Sequence, residues 1–435
     1  MATPPLPTTE ELPAGSGVPD QSDPTLTSYD ERELLLRGTG SVYGYGADTD
    51  EVVVVETGRS WTTRILARWP SDPAKFSGTV VVDVGHPEMG VGIMWMLAGR
   101  HLRREHHGYV LVTTRRNTLA YGDATPVTLL QDHDPVRYAP IEFDEGGLTW
   151  DILAQLAALV RHGGAHSPFP SAASKVFMGG FSGSGAYTLM YSRSFHDRWQ
   201  RAEGGPLVDG YVIGEPSWYQ HISSADDRIP EDQAPRDLDV PAISLYGSSQ
   251  RIFDHLVGCG TARIRDDADG PSCGVRTWEV AGSAHTARPG CDLPASDLDL
   301  GHYYHLAFDA LARWSDGGAP PPRADRVELA APSADGRPRL RLDEHRNAVG
   351  GVRSVKLDVP VARYFTCPEN SAAVMEVFPP DVLSALYGDR TAYADAVRVR
   401  ASELTAEGWL LPDDAAQVVA EADAFDGFPR SPTTT

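Results

Sequence analysis

Apolar positions along this chain fall into two rhythms. Short, unbroken, β-rich runs occur at Thr79–Val84 and Tyr109–Thr113, then at Lys175–Met178, Tyr211–Ile213, Ala242–Tyr246 and Trp278–Val280. A run of that length without polar alternation is how a strand covered on both faces reads. Between the runs the period lengthens to that of a helix. It does so from about Gly92 to Arg104, along the stripe Trp150, Leu153, Leu156, Ala157 and Val160, up to about Ser194, and over Tyr303–Trp314. Val52–Glu56 and Thr63–Arg68 read as a hairpin around a Gly-containing turn, and Asn117–Gly147 as an irregular stretch.

Short buried strands alternating with helices predict an α/β fold, with a mainly parallel central sheet and helices on both faces. Ligands of such sheets collect beyond the carboxyl ends of the strands. The loops after Val84, Met178, Ile213, Tyr246 and Val280 are therefore the ones to inspect. Residues 1–25, rich in Pro and Thr, are expected to be a disordered leader. Residues 26–322 form the expected core, closed by the Gly317–Pro322 punctuation. Residues 323–435 are an extension expected to pack on that core, with helices near Asp381–Tyr387 and Tyr393–Ala406.

Charge removes some partners. Thirty-eight basic residues against 60 acidic ones leave a net charge of −22, which argues against nucleic acid and anionic membrane surfaces. No segment approaches the ~18 apolar residues of a membrane span, and the start lacks the basic residues and apolar run of a secretory signal. A cytoplasmic protein acting on a small molecule is the expectation. Its four cysteines, Cys259, Cys273, Cys291 and Cys367, show no CxxC spacing. Reduced thiols are expected, with Cys259 and Cys273 the pair to bridge in an oxidising compartment. HExxH, P-loop and dinucleotide patterns are lacking, so neither a metal nor a cofactor is expected.

The densest chemical signal is Lys175–Ala186, in which a strand runs through Gly180-Phe181-Ser182-Gly183-Ser184 directly into a helix. A serine nucleophile needs such a turn: the backbone doubles back sharply, tolerates only small flanking residues, and opens a helix whose amides favour negative charge. Ser184 also fits the pattern, but counting from the strand favours Ser182. Downstream, the strand from Trp278 ends in a small-residue loop and His285, a candidate general base in the right chain order. The acid is open. Gln250 stands where a carboxylate is expected, leaving Glu215, after the preceding strand, and Asp254, further along the loop. The oxyanion hole is expected from the Gly183 amide and a second amide, that of His86 or Glu88, because Pro87 has none to give.

These segments resemble the bacterial and fungal α/β-hydrolase domain-containing proteins that carry a long C-terminal extension. Tyr29-Asp-Glu-Arg-Glu33, Asp134-Pro-Val-Arg137-Tyr138, Trp278-Glu-Val-Ala-Gly-Ser-Ala-His285, Asn347-Ala-Val-Gly-Gly-Val-Arg353 and Leu386-Tyr-Gly388 carry the likeness. It implies the α/β-hydrolase fold, Ser182 as nucleophile and His285 as base. The chain departs from the family in three places: Gly183 where a Gln is usual, Gly85-His86-Pro87 where an Asn-centred turn is common, and Ser248-Ser249-Gln250 in place of Glu-x-Asp. The chemistry implied is ester or lactone hydrolysis through an acyl-enzyme. Acyl transfer and amide cleavage use the same apparatus, and the vacant acid position leaves a silent binding protein on this scaffold as the alternative.

Overall fold

The computed structural model describes the chain except residues 1, 18–25, 114–125, 143, 217–219, 227, 250–263, 270–273, 335, 368–371 and 429–435. It divides into two units. The first holds Met1–Ser244, Ala262–Val275 and Leu311–Gly318; the second holds Leu245–Thr261, Arg276–Ala310 and Ala319–Thr435.

The first unit is built on a large sheet. Its strands are β1 (Thr8–Glu11), β2 (Tyr29–Tyr45), β3 (Val52–Pro70), β4 (Thr79–Val84), β5 (Gly108–Val112), β6 (Lys175–Phe181), β7 (Gly210–Gly214), the start of β8 (Ala242–Gly247), β9 (Ala268–Asp269) and the start of β10 (Gly274–Val280). They lie in the order β1-β2-β3-β5-β4-β6-β7-β8-β10-β9. The ladders β5–β4, β4–β6 and β6–β7 are parallel, while β1, β2, β3 and β5 pair antiparallel in turn. Every residue of β4, β5 and β7 is buried, as their unbroken apolar runs predict. Helices α1 (Ile93–Arg104), α2 (Pro126–His133), α3 (Thr149–His162) and α4 (Gly183–Ser194) connect or follow these strands. The buried stripe of α3, from Trp150 to Val160, joins Val80, Val82, Val110, Val112 and Met178 in one core.

Three expectations are corrected here. Thr8–Glu11, assigned to a disordered leader, pairs antiparallel with Leu34–Arg37 and forms the first strand of the sheet. The two expected hairpin strands are one long strand, β3. Its polar middle does not turn: Glu56, Arg59 and Ser60 face Val42, Gly40 and Thr39 of β2, with irregular register between Gly40 and Tyr43. Within Asn117–Gly147, α2 forms where Leu130 packs with Leu12, Leu35, Tyr138 and Ile141.

The second unit contains the remainder of β8 and β10, then β11 (Thr286–Ala287), most of α5 (Gly301–Ser315), β12 (Leu329–Ala330), β13 (Arg339–Leu340), α6 (Val355–Asp358), β14 (Ala362–Thr366), β15 (Ala372–Val377), α7 (Pro380–Tyr387), α8 (Arg390–Glu407) and α9 (Pro412–Ala424). Asp389 caps α8 by accepting the Ala392 amide at 2.9 Å, and Gly408 ends it in the left-handed conformation. Val355, Leu383, Tyr393, Val397, Leu404 and Val418 form its helical core. Cys291 is bonded to Cys367, with Cα atoms 5.9 Å apart, so the expectation of reduced thiols fails for this pair. Cys259 and Cys273 lie outside the described residues. Arg353 meets Asp343 at 3.0 Å and Asp358 at 2.6 Å, two ion pairs within this unit. Among the described residues no helix is long and apolar enough to cross a membrane.

Candidate active site

Ser182 stands between the last residue of β6 and the first of α4 with φ 61° and ψ −125°. That conformation is sparsely populated for a side-chain-bearing residue and costs on the order of 1–3 kcal/mol, so the surroundings must hold it. They do so through contacts that leave no room. A Cβ on Gly180 would lie 2.3 Å from the carbonyl oxygen of Ser184, and one on Gly185 would lie 2.3 Å from that of Gly214. The Ser182 amide donates to Gly214 at 2.9 Å, and the Ala186 amide returns to the Ser182 carbonyl at 3.0 Å. Ser184 has a different part. Its hydroxyl is fully buried, donates to the Phe181 carbonyl at 2.8 Å and accepts the Phe181 amide at 3.0 Å. The rival serine is thus a staple under the turn.

Glu215 follows the carbonyl that receives the Ser182 amide. It is 2% exposed and also has a positive φ, 36°. Two side-chain-bearing residues in the left-handed half of backbone space therefore flank one hydrogen bond at adjacent strand ends. Tyr211 of β7 shares a 2.7 Å hydrogen bond with His196, whose other nitrogen is 2.6 Å from Asp239. The His196 bond holds the Asp239 carboxyl below its usual range, and burial pushes the Tyr211 hydroxyl well above its own.

The loop after β4 reaches the same turn. A Cβ on Gly183 would sit 2.8 Å from Pro87 and 3.5 Å from Nε2 of His86, so this position accommodates only glycine without displacement. The loop is folded on itself: the His86 amide donates to Val91 at 3.0 Å, Gly90 donates to the His86 carbonyl at 2.8 Å, and the Glu88 amide donates to Nδ1 of His86 at 3.3 Å. Both amides expected as the second oxyanion donor are already committed within the loop. Accepting at Nδ1 puts the proton of a neutral His86 ring on Nε2, the nitrogen on the Gly183 side. Asp83, hidden in the apolar run of β4, anchors the loop's far end. It accepts the Met94 amide at 2.9 Å and the Tyr109 hydroxyl at 2.8 Å. A lone acid in a doubly covered strand is the signal that sequence reading passed over.

His285 belongs to the second unit, half-buried between β10 and β11. The carbonyl of Ser283 accepts the Ser248 hydroxyl at 2.9 Å and the Ser249 amide at 3.3 Å, and the Ser283 hydroxyl donates to Val280 at 2.9 Å. Ser248 and Ser249 therefore hold the loop that carries the histidine. Asp254 and Gln250 lie outside the described residues. The structure thus gathers Ser182, Gly183, His86, Glu88 and Glu215 in the first unit.

A family model described as an alpha/beta hydrolase domain matches residues 2–420, and the chain belongs to that family. Its fold is the α/β-hydrolase fold, with a large, mainly parallel sheet and helices on both sides. No curated protein matches the chain. Among solved structures it is similar to the esterase Est22 (11% identity, TM-score 0.34, covering 67% of this chain and 82% of that one). It is also similar to a dienelactone hydrolase from Anabaena variabilis (12%, 0.30, 63% and 96%) and to Est1E from Butyrivibrio proteoclasticus (10%, 0.28, 64% and 98%). What fixes the family is the match over residues 2–420.

Proposed function

We propose that the protein is a serine hydrolase that cleaves a small carboxylic ester or lactone through an acyl-enzyme on Ser182, with His285 as general base. The observation that carries this reading is the strained turn at Ser182, enforced by glycines whose replacement would drive a Cβ into backbone. A merely structural strand–helix turn has no need of that conformation.

His285 takes the proton as the Ser182 oxygen attacks the substrate carbonyl, then returns it to the leaving alkoxide. Water repeats the cycle in reverse order to release the acid. The Gly183 amide, at the positive end of α4, is one donor to the oxyanion. The Nε2–H of His86 is the second, because the loop's own amides are engaged. Glu215 is assigned as the acid that orients His285. Its burial and its positive φ support that reading, and Asp254 is the competitor. A silent binding protein remains the second reading, supported by the lack of a carboxylate at Ser248-Ser249-Gln250.

A fluorophosphonate probe separates the two. Labelling abolished in Ser182→Ala and kept in Ser184→Ala supports the hydrolase; a folded protein that takes up no probe supports the binding protein. Acyl transfer or amide cleavage would appear as a preference for an alcohol acceptor or an amide substrate in the same assay.

A further inference from the structure

Residues 319–435 share a unit with residues 276–310, and they grip the His285 loop on both sides. Upstream, the Val352 amide donates to Glu279 at 2.7 Å and the Ala281 amide to Val352 at 3.0 Å. Gly351 makes this possible: its φ is 68°, and a Cβ there would lie 2.4 Å from the Glu279 carbonyl oxygen. Downstream, Thr286 and Ala287 pair in parallel with Ala372 and Ala373 of β15, which β14 backs.

That second grip is weak on its own. A two-residue ladder with both residues exposed frays unless its far end is tied. The tie is covalent. Cys291, six residues after His285, sits in a tight turn where Gly290 and Leu293 exchange hydrogen bonds of 3.1 and 2.9 Å. Cys291 and Asp292 both have positive φ, 51° and 57°. Its sulfur is bonded to Cys367, which follows β14, is fully buried, and packs with Val374 and Phe365. The Cys367 amide donates to Ala372 at 2.8 Å, so the bond ends on the very strand partner of β11.

We infer that the Cys291–Cys367 disulfide and β15 form a strap that fixes the position of His285, making turnover at Ser182 depend on the oxidised state. The inference rests on His285 being the general base. Cys291 and Cys367 act as positioning residues, since neither touches substrate. A dithiol undoes the strap. One thiolate attacks the sulfur of Cys291, the less buried of the two, and expels Cys367 as thiolate; the reductant's second thiolate then closes on its own mixed disulfide and frees Cys291. Two electrons and two protons pass to the protein, and the reductant leaves as a cyclic disulfide.

The test uses the full-length oxidised protein, its Cys291→Ser, Cys367→Ser and doubly substituted forms, and p-nitrophenyl butyrate as probe substrate. kcat is expected to fall about 10- to 100-fold, the loss that small misplacements of a catalytic group produce, with KM within about twofold. The three variants should match one another, because each breaks the same bond, and the pH dependence of kcat should shift with the histidine's surroundings. Dithiothreitol should bring the wild type to the same level, leave the variants unchanged, and be reversed by reoxidation. Variants that melt earlier yet keep kcat and the pH profile would overturn the strap. Oxidised wild type lacking Ser182-dependent phosphonate labelling would instead overturn the hydrolase reading, and the strap's catalytic role with it.

Discussion

The amide of Ser182 donates to the carbonyl oxygen of Gly214 at 2.9 Å, which ties the turn after β6 to the last residue of β7. That one bond makes the positions of Ser182 and Glu215 interdependent, because Glu215 follows its acceptor.

Gly180→Ala and Gly185→Ala are each expected to destabilise the protein by about 3 kcal/mol or more, since both place a methyl against main-chain oxygen and not a yielding side chain. Urea unfolding midpoints measure this. A tolerated alanine at either site would mean that the turn can yield by several tenths of an ångström.

Ser184→Ala removes the two buried hydrogen bonds that its hydroxyl makes with Phe181. A loss of about 1–3 kcal/mol is expected, with kcat per folded molecule little changed. The opposite pattern, intact stability and lost turnover, would make Ser184 the nucleophile.

Glu215→Gln is expected to lower kcat by about 10³- to 10⁴-fold, as loss of a triad acid does, while circular dichroism and melting stay near wild type. Asp254→Asn serves as the comparator. If its turnover collapses while that of Glu215→Gln does not, the acid is Asp254.

His86→Ala is expected to cost about 10²-fold in kcat with little change in KM, the signature of a donor used in the transition state. Glu88→Ala keeps its amide and should behave like wild type. Equal losses in both variants would point to collapse of the loop after β4.

Glu33 gives an acid-sensitive contact. It is ion-paired with Arg64, receives Arg137 at 2.6 Å and accepts the Tyr138 hydroxyl at 2.9 Å. Burial alone would raise its pKa, but the Arg64 charge and the bonds from Arg137, Arg64 and Tyr138 outweigh it and hold it below the usual range. A depressed folded pKa stabilises above the unfolded value of about 4.3, and that contribution fades as pH falls from there through the folded value. Glu33→Gln should therefore cost about 3 kcal/mol at pH 7 and progressively less below about pH 4 in urea titrations. A gap that does not narrow with acid would rule the linkage out.

The parallel strands were plain in the sequence because burial on both faces writes itself as an unbroken apolar run, as in Thr79–Val84. β2 was not, because Glu31 and Glu33 interrupt its pattern. Their charges are matched across the ladder by Arg68 and Arg64, partners 37 and 31 residues away. α9 was missed because Pro412–Ala424 mixes small and acidic residues with only Val418 and Ala422 as buried apolar positions. The turn at Ser182 was legible from its glycines. The commitment of the His86 and Glu88 amides was not, since it depends on how one loop closes on itself. Pairing of Cys291 with Cys367 spans 76 residues and has no local trace.

The second unit takes its residues from both sides of the Gly317–Pro322 punctuation, and this governs where the polypeptide tolerates shortening. Trp278 packs edge-on to Trp409 at 5.5 Å and donates to the Pro322 carbonyl at 3.2 Å. Buried Glu279 receives the Val327 amide at 2.8 Å. A polypeptide stopped at residue 322 would bare an indole and take the Val327 amide away from the carboxylate next to it. The truncated product should accumulate as insoluble aggregate, however complete its nucleophile turn remains.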